Sequence, residues 1–268
     1  MQLSFTKMNG AGNDFIMLDN RDGKLALDCS RIALLCDRHR GVGADGVLAV
    51  EPPVQGADFR MRYYNADGGE AEMCGNGARC FARFARRLGA NKAEISFETL
   101  AGIIRASFPD NEIRVAMSDP HSHRPPVGLE INGRTLEVHF VNTGVPHAVV
   151  FTDDVEAVEV SKDGAALRYH PAFSPKGTNA NFVQVLSPDS IAIRTYERGV
   201  EGETLACGTG VCAAALLHHL LTHSPSPVRV KVRGGDTLQV AFEASERGVH
   251  NVTLTGPADF VFDGTISL

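Results

Sequence analysis

Apolar positions along this chain fall mostly into short runs, many of them alternating, which predict strands rather than helices. In the first part such runs lie at 3–8, 15–19, 47–50, 58–64, 93–99, 102–108 and 112–117. In the second they lie at 135–141, 148–152, 182–186, 190–196, 228–232, 237–242, 249–255 and 259–262. Four stretches carry helical spacing instead: 30–40, 78–88, 161–170 and 212–221. Asp28 or Ser30 can cap the first, Gly89 ends the second, and Pro225 and Pro227 stop the last. The six residues Asn9 to Asp14 read as a loop longer than a tight hairpin needs, the kind of segment on which sites are built. Local turn bonding by Asn13 and Asp14 explains the same residues equally well. Residues 118–127, rich in Pro, His and Ser, read as a linker.

The same order of elements occurs twice: strands, a polar turn, Cys-Gly-x-Gly, one long helix, then more strands. The predicted fold is therefore α+β, built from two pseudo-symmetric (duplicated) domains. Each is a curved, mainly antiparallel sheet wrapped round a central helix, with the active site in the cleft between them. The expected domains are 1–117 and 118–256, with the C-terminal strand 257–268 a candidate addition to the first. Both central helices, 78–88 and 212–221, are apolar nearly all round, as burial inside a curved sheet requires.

The repeated segments are Cys74-Gly75-Asn76-Gly77 and Cys207-Gly208-Thr209-Gly210, each preceded by an acidic, glycine-containing turn. The first amides of a helix lack intrahelical partners and carry the positive end of its dipole. Glycine lets backbone approach a ligand closely, so such a terminus is an anion cradle. A cysteine at that point has its thiolate stabilised, with a pKa lowered from about 8.5 into the range of roughly 3.5–7.5. Either copy alone is equally well read as a small buried cysteine at a tight helix start. The pair favours one thiol on each side of a single carboxylate-bearing substrate.

Composition narrows the alternatives. Hydrophobic content of 43% and charged content of 22% are ordinary for a globular protein of 268 residues, and the net charge of −6 argues against a nucleic-acid partner. No apolar run reaches membrane-spanning length, and residues 1–7 lack a signal-peptide core, so a cytoplasmic location with reduced thiols is expected. The six cysteines are Cys29, Cys36, Cys74, Cys80, Cys207 and Cys212. Their spacings match no usual zinc pattern, so no metal is expected. Cys36 reads as core within an amphipathic helix. The segment 41–46 is glycine-rich but is neither a P-loop nor a dinucleotide fingerprint.

Two matched thiols suit inversion at an amino-acid α-carbon. One removes the weakly acidic Cα proton, the other delivers a proton to the opposite face, and the roles exchange in reverse. The helix termini would hold the carboxylate and the charge that develops on it. No cofactor is required, and no lysine sits in a recognisable pyridoxal-phosphate setting. A redox pair usually has its cysteines close in sequence, and a single nucleophile using His147 as base leaves the second motif unexplained. A non-enzymatic binder of small anions is a further alternative.

Six segments occur in the order seen in the diaminopimelate epimerase family: Gly10-Ala11-Gly12-Asn13-Asp14-Phe15, Asn65-Ala66-Asp67-Gly68, Cys74-Gly75-Asn76-Gly77-Ala78-Arg79, Gly144-Val145-Pro146-His147, Glu197-Arg198-Gly199 and Cys207-Gly208-Thr209-Gly210. The resemblance covers essentially the whole chain. It implies a cofactor-independent enzyme interconverting LL- and meso-2,6-diaminopimelate in lysine and peptidoglycan precursor biosynthesis, with a homodimeric assembly. It implies Cys74 and Cys207 as the catalytic bases, with backbone amides of Gly75, Asn76, Gly208 and Thr209 on the reacting carboxylate. Asn13, Asn65, Asn179, Glu197 and Arg198 would bind the ends of the substrate, and His147 would support the site. From the residues alone, Glu197 and Arg198 read as a surface ion pair at a strand end. The runner-up family is the proline-racemase type, which also pairs two Cys-Gly-x-Gly segments. Two positions depart from many family members: Val145 replaces an Asn, leaving one substrate hydrogen bond to another residue, and Gly46 replaces a Gln, leaving space for water or main chain to fill.

Overall fold

The structure, a computed structural model, describes residues 2–246 and 248–267. It divides into two compact units, Met1–Val115 with Gly256–Leu268, and Ala116–Thr255.

The first unit opens with β1 (Gln2–Gly10) and β2 (Asn13–Asp19), followed by α1 (Cys29–Cys36), β3 (Gly46–Glu51), β4 (Phe59–Asn65) and β5 (Glu70–Ala71). After α2 (Gly75–Arg87) come β6 (Glu94–Thr99), β7 (Gly102–Ser107) and β8 (Ile113–Ala116). β1 pairs antiparallel with β2, and α1 crosses over so that β3 lies parallel to β2. β4 returns antiparallel to β3. α2 makes the second crossover, placing β6 parallel to β4, and β7 and β8 continue as a meander. The C-terminal strand Asp259–Ser267 pairs antiparallel with β1.

β2 and β3 read as unbroken apolar runs because both their faces are covered. Phe15, Met17, Leu48 and Val50 pack under α2 with Phe81, Phe84 and Phe97, while Ile16, Leu18, Val47 and Ala49 pack under α1 with Ile32 and Leu35. Asp28 caps α1, its carboxylate accepting from the Arg31 amide at 2.9 Å. α1 stops at Cys36, not at residue 40 as its spacing predicts, because Asp37 turns out of the helix and its side chain binds the amides of His39 and Arg40. Cys36 is core, as expected, and burial pushes its thiol up to about 12.

The second unit repeats this plan. Its elements are β9 (His121–Ile131), β10 (Arg134–Asn142), β11 (Pro146–Phe151), α3 (Val160–Arg168), β12 (Asn179–Ser187), β13 (Ser190–Glu197), β14 (Gly202–Thr204), α4 (Gly208–Thr222), β15 (Val228–Lys231), β16 (Thr237–Ser245) and β17 (Gly248–Gly256). The C-terminal strand of the first unit is then β18 (Asp259–Ser267). β10 and β11 are antiparallel, α3 crosses to parallel β12, β13 returns, α4 crosses to parallel β15, and β16 and β17 follow antiparallel. Strand for strand, this is the order β1 to β8 again. The duplication read from the cysteine motifs thus extends to the direction of every strand pairing. α4 is buried along most of its length against β10 to β13, β15 and β16.

Three further local expectations are overturned. Asn9 to Asp14 is not a six-residue loop. Gly10 pairs with Asn13 across a two-residue turn of Ala11 (φ 59°) and Gly12 (φ 90°), the left-handed geometry that matches strand twist in a tight hairpin. The stretch 118–127 is not a linker, because β9 begins at His121 and pairs with β10. The two prolines within β9, Pro125 and Pro126, fall where the register jumps from Val138 opposite Val127 to Phe140 opposite Arg124, a bulge where missing N–H groups cost little. Finally, the central helices begin at Gly75 and Gly208, three and four residues earlier than predicted. The cysteines are therefore the capping residues themselves.

Candidate functional site

In the first unit, Cys74 is the N-cap of α2, with extended backbone (φ −136°, ψ 124°). Its carbonyl accepts the Ala78 amide at 2.7 Å to close the first turn. The N–H groups of that turn, Gly75 to Gly77, point out of the helix end beside the thiol. A Cβ on Gly77 would lie 3.3 Å from Leu48, 3.4 Å from the Phe15 ring and 3.5 Å from the Cys74 Cβ, so the turn sits tightly on β2 and β3. Asn76 is buried at the same turn. Its side-chain oxygen accepts from Arg79 Nη2 at 2.9 Å, and Arg79, fully buried, also reaches the carbonyls of Pro257 at 3.2 Å and Gly75 at 3.4 Å. Arg79 was quoted within the motif but given no role. Its signal was a cation one turn inside the helix, ahead of Arg83, Arg86 and Arg87.

Asn13 approaches Cys74, its Oδ1 accepting from Sγ at 3.5 Å. Asp14 makes no local turn bond. It takes a two-armed ion pair from Arg38 at 2.8 and 3.0 Å and a second from Lys7 at 2.8 Å, and these cations bring its carboxyl down to about 2 against the opposing cost of burial. Asn65 ends β4, exposed, in a turn closed by the Gly68 amide on its carbonyl at 2.9 Å. The space expected at Gly46 is filled by protein: a Cβ there would lie 2.5 Å from the Tyr64 carbonyl oxygen and 2.9 Å from the Tyr63 ring.

In the second unit, Cys207 caps α4 in the same way (φ −117°, ψ 107°), its carbonyl accepting the Val211 amide at 2.9 Å. Its Sγ lies 3.6 Å from the Thr209 hydroxyl, and the Thr209 carbonyl accepts from Thr143 at 2.9 Å. Asn179, at the start of β12, donates to the Pro146 carbonyl at 3.0 Å and accepts the Arg198 amide at 2.9 Å, which fixes the backbone where Arg198 leaves β13. Glu197 accepts from Thr204 at 3.0 Å, and the Arg198 guanidinium reaches the Lys176 carbonyl at 3.4 Å.

Asn181 is the hub of this half. It is fully buried, donates to the Ala148 carbonyl at 2.9 Å and to His147 Nδ1 at 3.1 Å, and accepts from Thr195 at 3.0 Å. A carbonyl can only accept, so the amide nitrogen faces Ala148 and His147, and the His147 proton is on Nε2. Burial, reinforced by the nearby Arg198 charge, pushes His147 down to about 3, so the ring is neutral at physiological pH. Alternation along β12 could have flagged Asn181: it faces α4, opposite to Ala180 and Phe182.

Gly210 shows how tightly this half is closed. A Cβ there would lie 2.5 Å from Asn181 Oδ1 and 3.4 Å from both Cys207 Sγ and His147 Cε1. Helix propensity alone favours Gly210→Ala by roughly 1 kcal/mol. Asn181 is held by three hydrogen bonds and cannot retreat, so the overpacking cost of about 1–3 kcal/mol prevails. Thermal melting of Gly210→Ala should therefore show a lower midpoint. A raised midpoint would mean that Asn181 gives way.

The two halves differ at matched positions. Phe15 pairs with Gly46 where the second half pairs His147 with Asn179. The two residues ahead of Phe15 and of His147 are Asn13-Asp14 and Val145-Pro146. Each half thus supplies one amide where the other has an apolar residue or none, so Val145 and Gly46 mark the asymmetry between the halves.

Among the described residues, no group of three or more His, Cys, Asp or Glu could hold a metal ion, and no helix is long and apolar enough to cross a membrane. The family model for diaminopimelate epimerase matches residues 5–122 and 139–261. The diaminopimelate epimerase of Hydrogenobaculum sp. (strain Y04AAS1) is 44% identical over 98% of this chain and 98% of its own length, and that of Aquifex aeolicus is 43% identical over 99% and 98%. At the level of fold, a Bacillus anthracis phenazine biosynthesis protein of the PhzF family superposes with a TM-score of 0.74 at 16% identity, covering 100% of both chains. A probable proline racemase from Agrobacterium radiobacter K84 gives 0.74 at 17% identity, covering 99% of this chain and 93% of its own. With full-length relatives above 40% identity and a duplicated fold whose repeats each contain a cysteine-capped helix, the chain belongs to the diaminopimelate epimerase family.

Proposed function

We propose that this protein is a cofactor-independent amino-acid epimerase that interconverts LL- and meso-2,6-diaminopimelate. The observation that carries the reading is the repeated capping position: each unit offers one thiol at the N-terminus of its own central helix, beside first-turn amides. In the proposed reaction one cysteine thiolate removes the Cα proton, and its electron pair is left delocalised into the α-carboxylate. The other cysteine donates its thiol proton to the opposite face of Cα. The enzyme then carries the reverse proton arrangement. The amides of Gly75, Asn76, Gly208 and Thr209 are assigned to the reacting carboxylate, where dipoles aimed at developing charge lower the barrier most. Arg198 is assigned to the distal carboxylate, Glu197 to an ammonium group, and Asn13, Asn65 and Asn179 to orientation of the substrate. His147, neutral and buried, supports the Cys207 half. A homodimer and a cytoplasmic setting in lysine biosynthesis belong to the same proposal.

The test is deuterium incorporation at Cα in heavy water with no cofactor added, offering LL-diaminopimelate and L-proline separately. Exchange with diaminopimelate alone is the expected result. Exchange with proline alone would favour the proline-racemase reading, and exchange with neither would favour a non-catalytic anion binder.

A further inference from the structure

Asn13 meets Cys74 with one particular end of its amide. Its Nδ2 donates to Asp45 Oδ2 at 2.6 Å, and a carboxylate can only accept, so the nitrogen must face Asp45 and the carbonyl oxygen must face the thiol. Asp45 is itself fixed. Its Oδ2 also accepts the Asp14 amide at 3.3 Å, its other oxygen takes Arg38 Nη2 at 2.9 Å, its own amide donates to the Asp14 carbonyl at 3.0 Å, and Asp14 is held by Arg38 and Lys7. A carbonyl oxygen accepts a hydrogen bond from S–H but repels a thiolate. The Cys74 thiol at 3.5 Å is therefore met by a group that recognises only its protonated form.

The other half lacks this device. The position matching Asn13 is Val145, and one polar neighbour of Cys207 is the Thr209 hydroxyl, which can donate to a thiolate or accept from a thiol. Charged groups on the elements of the Cys74 half include Lys7 on β1, Asp14 on β2, Arg38 before β3, Glu70 on β5, Glu72 two residues ahead of the cysteine and Arg79 on α2. Arg79 and the helix terminus both favour a thiolate. The Asn13 carbonyl opposes them.

We propose that Asp45 is a positioning residue that holds the Asn13 carbonyl against Cys74 and so favours the protonated form of that thiol. This proton placement does not rest on the epimerase reading, and it can be measured without substrate. In Asp45→Asn, Arg38 claims the new carbonyl oxygen through its charge, the new NH₂ turns to Asn13, and Asn13 flips to present N–H to Cys74.

The experiment follows iodoacetamide modification of Cys74 across pH 5–10 in the full-length Cys207→Ser protein, with peptide mass spectrometry separating Cys74 from exposed Cys29. The midpoint of the rate profile is read rather than its plateau, so that altered access does not count. Asp45→Asn should lower the midpoint by about one pH unit, the scale of a neutral hydrogen bond exchanged for a charge-assisted one. Asn13→Ala should lower it by less, since it only removes the carbonyl. Combined with Asn13→Ala, Asp45→Asn should add nothing. An Asp45→Asn shift that persists without Asn13 would be a direct charge effect and would overturn the proposal. So would an unchanged midpoint in Asn13→Ala, which stands as the test even if Asp45→Asn does not fold.

Discussion

Cys74→Ala and Cys207→Ala should each lose stereochemical interconversion by at least about a thousandfold, the scale of removing one positioned acid or base from a proton transfer. Each should nevertheless keep part of the chemistry. With one thiol left, the stereoisomer whose Cα–H faces it can still give up its proton and take one back on the same face. Nuclear magnetic resonance in heavy water should therefore show Cα deuteration of one isomer without inversion in Cys74→Ala, and of the other isomer in Cys207→Ala. The opposite selectivity of the two variants separates a two-base reaction from a covalent nucleophile working with one base, in which one cysteine would be dispensable. Inversion retained in either variant would remove that cysteine from the mechanism. The remaining four cysteines supply no substitute base. Cys36 and Cys80 are pushed up to about 12 by burial, Cys212 is buried inside α4, and Cys29 lies exposed at the start of α1.

The architecture was legible because its signals are local and repeated. The strand runs and the two cysteine motifs follow from periodicity and glycine placement, and the family resemblance names the candidate site residues, whereas the four parallel crossovers through α1 to α4 are not announced by the sequence. What escaped the sequence depends on contacts between distant residues. Ala11-Gly12 closes a tight hairpin only because Gly10 and Asn13 pair, and a Gly-Ala-Gly-Asn string reads as a loop until they do. The helix starts were placed too late because Gly75 to Gly77 and Gly208 to Gly210 are poor helix formers by propensity. Packing against β2 and β3, and against Asn181, keeps them helical. β9 was hidden by Pro125 and Pro126, which only a bulge can accommodate. Asp45, Arg79 and Asn181 carry the orientation of the site through hydrogen bonds to residues 32, 178 and 14 positions away, respectively, and nothing in their immediate neighbours in sequence announces it.

Acidification should destabilise the fold through His147 well before the carboxylates titrate. In the unfolded chain the ring takes a proton near its ordinary value of 6.5, whereas in the folded protein it does so only near 3. Between those values the unfolded state binds more protons, so stability rises with pH by about 1.4 kcal/mol per unit for this one group. Its contribution is complete above pH 6.5 and is lost as pH falls toward 3. Asp14 acts lower down: its contribution is present above 3.8 and disappears as pH drops through about 2. The window from pH 6.5 to 5 thus isolates the histidines, and His147 alone should cost about 2 kcal/mol across it. His139, also lowered by burial, adds to the same window, so a comparison is needed. Urea unfolding of unmodified protein and His147→Gln, followed by circular dichroism at half-unit pH steps, supplies it. The variant should show a visibly flatter dependence whatever its absolute stability. Equal slopes would mean that the folded ring is protonated more readily than its buried surroundings allow, and that His147 does not enter catalysis as a neutral group.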